Sequence, residues 1–306
     1  MDLSGKTAIV TGSGRGLGRA YAEALAAAGA AVVVNDVSSE VVDEVVAAIR
    51  SAGGNATGVV AAVGDSESAD ALVRTAVEEF GGLDTLVCNA GILRDKVLWK
   101  MSDEDFDDVL HVHLRGTFTT ARAAVQQFRE QGGRGSLVLI ASPAGQRGNF
   151  GQTNYASAKA GIAAMARTWS MELGRAGIDV NAVVPVAATE MTKTIPVFAP
   201  IIEESERTGQ PFPDWLRKDE GLGTPEDAAA LIVFLASDAS KGITGQAIGI
   251  GGDRLALWAH PQEKAFALRD GGWTADAIAE QWSTTIGAEP ESVGMPPPNP
   301  PEGGAA

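Results

Sequence analysis

Tyr155 and Lys159 stand four residues apart in the stretch Asn154–Arg175, which reads as a helix, so both side chains share one face a turn apart. That pairing can handle a proton. A tyrosine alone titrates near pKa 10 and is a poor base at neutral pH. A neighbouring ammonium favours the phenolate and lowers that value. Ser142 follows an apolar run, 13 residues before Tyr155, where its hydroxyl could hold a substrate oxygen. Together the three suit proton exchange with a hydroxyl or carbonyl group. A plain surface pair on a helix has the same Tyr-x-x-x-Lys spacing, so the elements that carry the residues must decide.

Those elements alternate. Thr7–Val10, Ala31–Asn35, Thr57–Ala61, Thr85–Cys88, Ser136–Ile140, Asp179–Val184 and Ala247–Ile250 read as buried strands. Between them Leu17–Ala28, Val41–Ala52, Ser68–Phe80, Leu110–Gln131, Asn154–Arg175 and Pro225–Ala236 read as helices, with Ser102-Asp103-Glu104-Asp105 opening a short further one. Strand–helix alternation implies right-handed crossovers and an α/β, doubly wound, Rossmann-like parallel sheet of about seven strands with helices on both faces. Ligands of such sheets bind at the carboxyl ends of the strands, near the switch in strand order. Ile195–Gly221, with four prolines and no clear strand, reads as a lid or substrate loop. We expect residues 1–252 to form the catalytic domain. Residues 253–290 would pack on it or on a partner subunit, and 291–306, rich in Pro and Gly, would form a loose tail.

The first strand leads into Thr11-Gly12-Ser13-Gly14-Arg15-Gly16-Leu17-Gly18 and then a helix. Glycines let the backbone turn tightly against a pyrophosphate, and the helix N-terminus presents N–H groups and partial positive charge to it. A glycine cluster alone could be a plain turn; between the first strand and first helix of this fold it points to a dinucleotide. The second strand ends at Asp36, 18 residues beyond Gly18, the spacing of an acid that bonds the adenosine ribose hydroxyls. A carboxylate there repels a 2′-phosphate and favours NAD over NADP, although Arg15 argues the other way and Asp36 could instead cap the next helix.

Composition excludes other classes. A net charge of −15 repels nucleic acid. No signal segment or apolar run of membrane-spanning length is visible, and no metal is expected. The single cysteine, Cys88, reads as a small buried residue and fits a reducing compartment; we expect a cytoplasmic protein.

The combination of Thr11–Gly18, Asn89-Ala90-Gly91, Ser142, Tyr155-x-x-x-Lys159 and Asn181…Pro185 resembles the short-chain dehydrogenase/reductase family over residues 4–252. The resemblance implies that Tyr155 exchanges a proton with substrate, that Lys159 lowers its pKa and binds the nicotinamide ribose, and that Ser142 orients the substrate oxygen. It implies that Asn89 supports the sheet beside the cofactor and that Thr189 meets the carboxamide. Gly12, Ser13, Arg15, Gly16, Leu17, Gly18, Asp36, Asp65, Ser66, Ala90, Gly91 and Pro185 complete the cofactor set. One position departs: His113, in His111-Val112-His113-Leu114-Arg115-Gly116, stands where the family has an asparagine that organises a relay water near the lysine. His113 could serve the same relay or be a buried, hydrogen-bonded histidine.

That His-Leu-Arg-Gly segment occurs together with Gly91–Lys96 and Gly148–Gln152 and resembles the dehydrogenase unit of peroxisomal multifunctional enzymes of type 2. This branch implies (3R)-3-hydroxyacyl-CoA as substrate, with a 17β-hydroxysteroid as the alternative. Arg94, Lys96 and Arg147 are the candidates to offset the acidic surface for CoA, and Pro143 after Ser142 is a further departure. The C-terminal Gly304-Ala305-Ala306 is not a peroxisomal Ser-Lys-Leu signal. A silent NAD sensor or scaffold is the alternative of another class, though it has no need of the catalytic set. Alanines 121, 123, 124, 156, 158, 160, 163 and 164 make two long helices small-sided, and the resemblance implies a homodimer or homotetramer built on them.

Overall fold

Runs such as Thr7–Val10 and Thr85–Cys88 show no polar alternation, and strands of that kind need cover on both faces. The computed structural model, which describes residues 1–190, 192–194 and 197–294, supplies it. In chain order the elements begin β1 (Thr7–Val10), α1 (Gly16–Ala27), β2 (Ala31–Asp36), α2 (Ser39–Ser51), β3 (Asn55–Val60), α3 (Ser66–Phe80) and β4 (Thr85–Cys88). Then come α4 (Asp103–Leu110), α5 (Gly116–Glu130), β5 (Gly135–Ile140), α6 (Pro143–Arg147), α7 (Thr153–Leu173) and β6 (Ile178–Pro185). The last are α8 (Ala199–Thr208), α9 (Asp214–Lys218), α10 (Pro225–Ala236), β7 (Ala247–Gly251), β8 (Arg254–Leu257) and α11 (Ala275–Gln281).

The sheet runs β3-β2-β1-β4-β5-β6-β7-β8. Every pairing is parallel except β7 with β8, an antiparallel hairpin. Alternate residues of each strand feed opposite layers. Val10, Val32, Val34, Val138 and Ile140 pack with α1, α2 and α10. Ile9, Val33, Leu86, Leu137 and Leu139 pack with α3, α5 and α7. Chain order reverses between β1 and β4, which pair Val10 with Val87, so the loops after these strands open side by side.

Four features differ from the sequence reading. β8 was not expected; its Leu255 and Leu257 are exposed, so no buried pattern marks it. Residues 254–257, at the start of the stretch 253–290, therefore pair in the sheet. Leu110–Gln131 is not one uninterrupted helix: α4, capped by the reciprocal Ser102–Asp105 box, passes through a π-helical turn at His111–Arg115 into α5. Ala121, Ala123, Ala124, Ala158 and Ala163 face the chain's own core, which leaves Ala160 and Ala164 on the surface. The expected lid contains α8 and α9, whose Phe198, Ile202, Phe212, Leu216 and Leu222 form a small core of their own; Ile195 and Pro196, like the tail from residue 295 on, lie outside the described residues. No helix of the described residues is long and apolar enough to cross a membrane.

Ser102 accepts a hydrogen bond from the Asp105 backbone and from its side returns one to the Asp105 carboxylate. Ser102→Ala is expected to cost about 1 kcal/mol, read as a lower urea midpoint at unchanged slope.

Candidate active site

The loop after β1 is tied down from three strands. Ser13 Oγ donates to the Val10 carbonyl at 2.8 Å and accepts from Asn35 N–H at 2.9 Å, and its backbone N–H donates to the Asn35 carbonyl at 2.7 Å, so the residue is turned inward and ties the loop to β2. Thr11 Oγ1 accepts from the backbone N–H groups of Asn89 and Ala90, at 3.0 and 3.1 Å. Asn89 Nδ2 donates to the carbonyls of Thr11 and Gly12, at 3.0 and 2.9 Å. The loops after β1 and β4 are thereby fused into one floor. Gly18 must lack a side chain, since a Cβ would lie 2.1 Å from the Gly12 carbonyl oxygen. The first N–H groups of α1 are left for an outside acceptor, which suits a pyrophosphate. Arg15 is exposed at the N-cap, with Gly16 and Leu17 beside it.

Asp36 ends β2 and accepts Gly14 N–H on Oδ2 at 3.1 Å and Val37 N–H on Oδ1 at 2.8 Å. The carboxylate is thus held against the glycine loop rather than capping α2, whose N-cap Ser38 makes no side-chain bond. Thr189, past Pro185 at the end of β6, approaches the same loop: its Cγ2 lies 3.9 Å from where a Gly16 Cβ would stand. Asp65 and Ser66 have structural work. Asp65 caps α3 through Ser68 N–H at 2.7 Å, and Ser66 accepts from Arg122.

Ser142, Tyr155 and Lys159 are brought together. Pro143 occupies the first position of α6 and makes Ser142 its N-cap, which is the local role of the unusual Ser-Pro pair. Asn154, fully buried, accepts Tyr155 N–H on its own Oδ1 and donates to the carbonyls of Arg94 and Asp105, at 3.1 and 2.9 Å. It fixes the start of α7, and with Asn35 is a site-building residue to which the sequence gave no role. Lys159 Nζ donates to the Ile140 carbonyl at 2.5 Å and lies 5.6 Å from the Tyr155 ring centroid. Burial pulls the lysine down to about 7, with the Cys88 thiol the minor opposing influence. Burial raises Tyr155, the Ser142 side chain holds it back by hydrogen bonding, and the Asp95 charge adds to the rise. Cys88 beneath them stays a thiol, pushed up to about 12 by burial.

His113 lies in the π-helical turn, buried, with its ring against Tyr155 at 5.2 Å between centroids and nearly perpendicular. Burial, and then the Lys159 charge, lower it to about 3, so it is neutral at working pH. The ring fills the space over Gly91, where a Cβ would come within 2.2 Å of its Cε1. Of the basic residues considered for CoA, Lys96 is paired with Asp105 at 2.6 Å and Arg147 binds the carbonyl of Gly294 and the hydroxyl of Ser292. Arg94 stands half exposed, 3.9 Å from Asp108.

Lys159 makes stability depend on pH. From about pH 7 to 9 the unfolded chain holds the lysine proton and the fold does not, so the unfolded state binds more protons and stability rises with pH. The gain is at most about 1.4 kcal/mol per unit. Lys159→Met should lose that slope; parallel urea stabilities for wild type and variant across this range would show that burial of the ammonium costs nothing.

A family profile described as enoyl-(acyl carrier protein) reductase matches residues 12–252. The short-chain reductase protein NovJ of Streptomyces niveus is 42% identical over 254 residues, 81% of this chain and 93% of its own. The hydroxyacyl-CoA dehydrogenase ChsB1 of Mycobacterium tuberculosis is 42% identical over 285 residues, 89% of this chain and 86% of its own. The crystal structure of a short chain dehydrogenase from Mycobacterium avium superposes with a TM-score of 0.80 at 33% identity, covering 96% of this chain and 99% of that one. With the doubly wound sheet, the glycine loop at its switch point and the Ser142, Tyr155 and Lys159 cluster behind it, this chain belongs to the short-chain dehydrogenase/reductase family, the oxidoreductases that act on CH–OH groups with NAD(P).

Proposed function

We propose that this chain is an NAD-dependent dehydrogenase that oxidises the secondary alcohol of a (3R)-3-hydroxyacyl-CoA. The observation that carries the reaction is the assembly of Ser142, Tyr155 and Lys159 in one buried cluster. Similarity to the hydroxyacyl-CoA dehydrogenase ChsB1 over 89% of the chain supports the substrate class, and the half-exposed Arg94 offers a local cation for a CoA phosphate.

A bound nicotinamide supplies the hydride acceptor and, oxidised, a second positive charge. Gly12, Gly16, Gly18 and the N-terminus of α1 would hold the pyrophosphate, Asp36 would take the adenosine ribose hydroxyls, and Asn89, Ala90 and Gly91 would form the floor. Ser142 Oγ holds the substrate oxygen, Tyr155 Oη receives its proton, and the Lys159 ammonium favours the phenolate against the burial that opposes it. As Asp36 Oδ2 and Oδ1 already accept Gly14 and Val37 N–H, the carboxylate is fixed in place and cannot swing away from a 2′-phosphate. The exposed Trp99, Phe118, Met171, Leu255, Leu257, Phe266 and Leu268 leave apolar surface for a second copy, and we read the working enzyme as a homo-oligomer.

Tyr155→Phe should lower turnover by about 10³-fold or more and leave NAD binding near wild type; retained turnover sinks the mechanism. Side by side, kcat/KM should favour 3-hydroxyacyl-CoA over a 17β-hydroxysteroid, and the reverse order moves the substrate to the steroid class. NAD binding with no turnover of any alcohol would indicate a sensor. Asp36→Ala should raise NADP relative to NAD kcat/KM about tenfold or more. Sedimentation at micromolar concentration should give a dimer or tetramer, and a monomeric mass rules out the oligomer.

A further inference from the structure

Asp95, in the loop after β4, is a carboxylate held close to the catalytic cluster. Its Oδ2 accepts Gln152 Nε2 at 2.7 Å, and Gln152 is the N-cap of α7, three residues before Tyr155. Both neighbours of Asp95 are tied to the same stretch of chain. The Arg94 carbonyl accepts Asn154 Nδ2 at 3.1 Å, and the Lys96 N–H donates to the Gly151 carbonyl at 2.9 Å. Ile92 and Leu93, just before them, pack against the cluster of Val109, Ala144 and Tyr155. The loop therefore runs past the tyrosine and sets Asp95 at the rim of the site, on the solvent side. Its partner there is an amide, which fixes the carboxylate without supplying a countercharge. The nearby cations are engaged elsewhere: Lys96 on Asp105 at 2.6 Å, Arg94 at 3.9 Å from Asp108, and Arg147 on the Gly294 carbonyl and Ser292 hydroxyl with Glu291 close by. His113 is neutral and Cys88 stays a thiol. The charge reaches the cluster, because Asp95 adds to the rise that burial imposes on Tyr155. For a base that must become a phenolate this is a handicap.

We propose that Asp95 is a specificity-determining residue: its carboxylate, pinned by Gln152 at the rim of the site, turns away alcohols that carry a negative charge beside the reacting carbon, so that the site takes a neutral acyl head, an ester or thioester, in preference to a free 3-hydroxy acid. The proposal rests on the reading of the chain as a secondary-alcohol dehydrogenase. A carboxylate two carbons from the carbinol occupies the space beside Tyr155 and meets the same field that opposes the phenolate. The Lys159 ammonium alone would draw such an anion in, and Asp95 is the charge that offsets it. Discrimination by a repulsive element of this kind costs some readiness of the base and gains selectivity between substrates of one shape. The phosphates of a CoA thioester lie at the far end of its long arm, beyond the roughly 10 Å over which salt leaves an exposed charge effective. Asp95 therefore acts on the acyl head and not on the carrier.

The test compares (3R)-3-hydroxybutyrate with its methyl ester, one alcohol with and without the charge, as the ratio of their kcat/KM values with NAD. Asp95→Asn keeps the shape and an acceptor for Gln152, and should raise the acid relative to the ester by about threefold to tenfold. Asp95→Ser, a second neutral replacement, should do the same, and Asp95→Glu, which restores the charge, should keep the wild-type ratio. Ultraviolet titration gives a reading without substrate. The chain has two tyrosines, and Tyr21 is fully buried with its ionisation driven upward, so the observed step belongs to Tyr155. That step should move to lower pH in both neutral variants, since the charge that opposes the phenolate is gone. An acid-to-ester ratio unchanged in Asp95→Asn and Asp95→Ser overturns the proposal, and so does an equal rise in Asp95→Glu, which would take the charge out of the explanation. Where no alcohol is turned over, the dehydrogenase reading fails on its own, and calorimetric binding of the same acid and ester to the NAD-loaded wild type and variants still decides the ratio.

Discussion

A lysine ammonium without access to water, held by the Ile140 carbonyl at the end of β5, is the interaction around which the site is arranged. Burying that charge is unfavourable, as the fall of Lys159 to about 7 records. Towards and below that value, where the lysine keeps its proton, the same burial makes the charge effective, since no solvent screens it from the phenol one turn away. Each neighbouring element serves this arrangement. α6 packs so closely on α7 that a Cβ on Gly145 would strike the backbone at Lys159 and Ala160. Asn154 pins the start of α7 to the loop after β4 and to α4. Cys88 remains neutral below the lysine and adds no countercharge.

On the far side of the switch point the constraint is geometric. Thr11, Asn89 and Asn35 stitch the ends of β1, β4 and β2 to one another with side-chain-to-backbone bonds. Three strand ends thus behave as one surface, and the glycine loop over it has little freedom. Asp36 belongs to this network through Gly14, so the carboxylate at the end of β2 is tied to the glycine loop after β1.

The parts fixed by local chemistry were legible in the amino-acid sequence. β1 and β4 match the reading residue for residue, because a short apolar run with turn residues at both ends has few other solutions. α10 does too, because Thr224, Pro225 and Asp227 mark its start. What depends on tertiary partners was not legible. β8 pairs with β7 through its backbone alone and carries no buried pattern. The π-helical turn at His111–Arg115 is a shift in hydrogen-bond partners that composition does not encode. Whether His113 faced water or Tyr155 depended on that shift. Among the site residues, the inward turn of Ser13 followed from the register of β1 against β2, which a single sequence does not display. Asp65 capping α3 was readable from Asp65-Ser66-Glu67-Ser68, a local cap pattern.

The π-helical turn has one more consequence. An α-helix rotates by about 100° for each residue, so one residue accommodated in a wider turn changes the phase of everything after it. α4 and α5 therefore present faces that no unbroken helix of this sequence could present together: Val109 packs with Tyr155 on one side of the turn, and Phe128 enters the sheet core on the other. The turn works as a gearing between the substrate side and the core side of one long rod. Removing a single residue there would tighten the rod into a regular helix and leave its two ends out of step, without touching any group that meets a ligand.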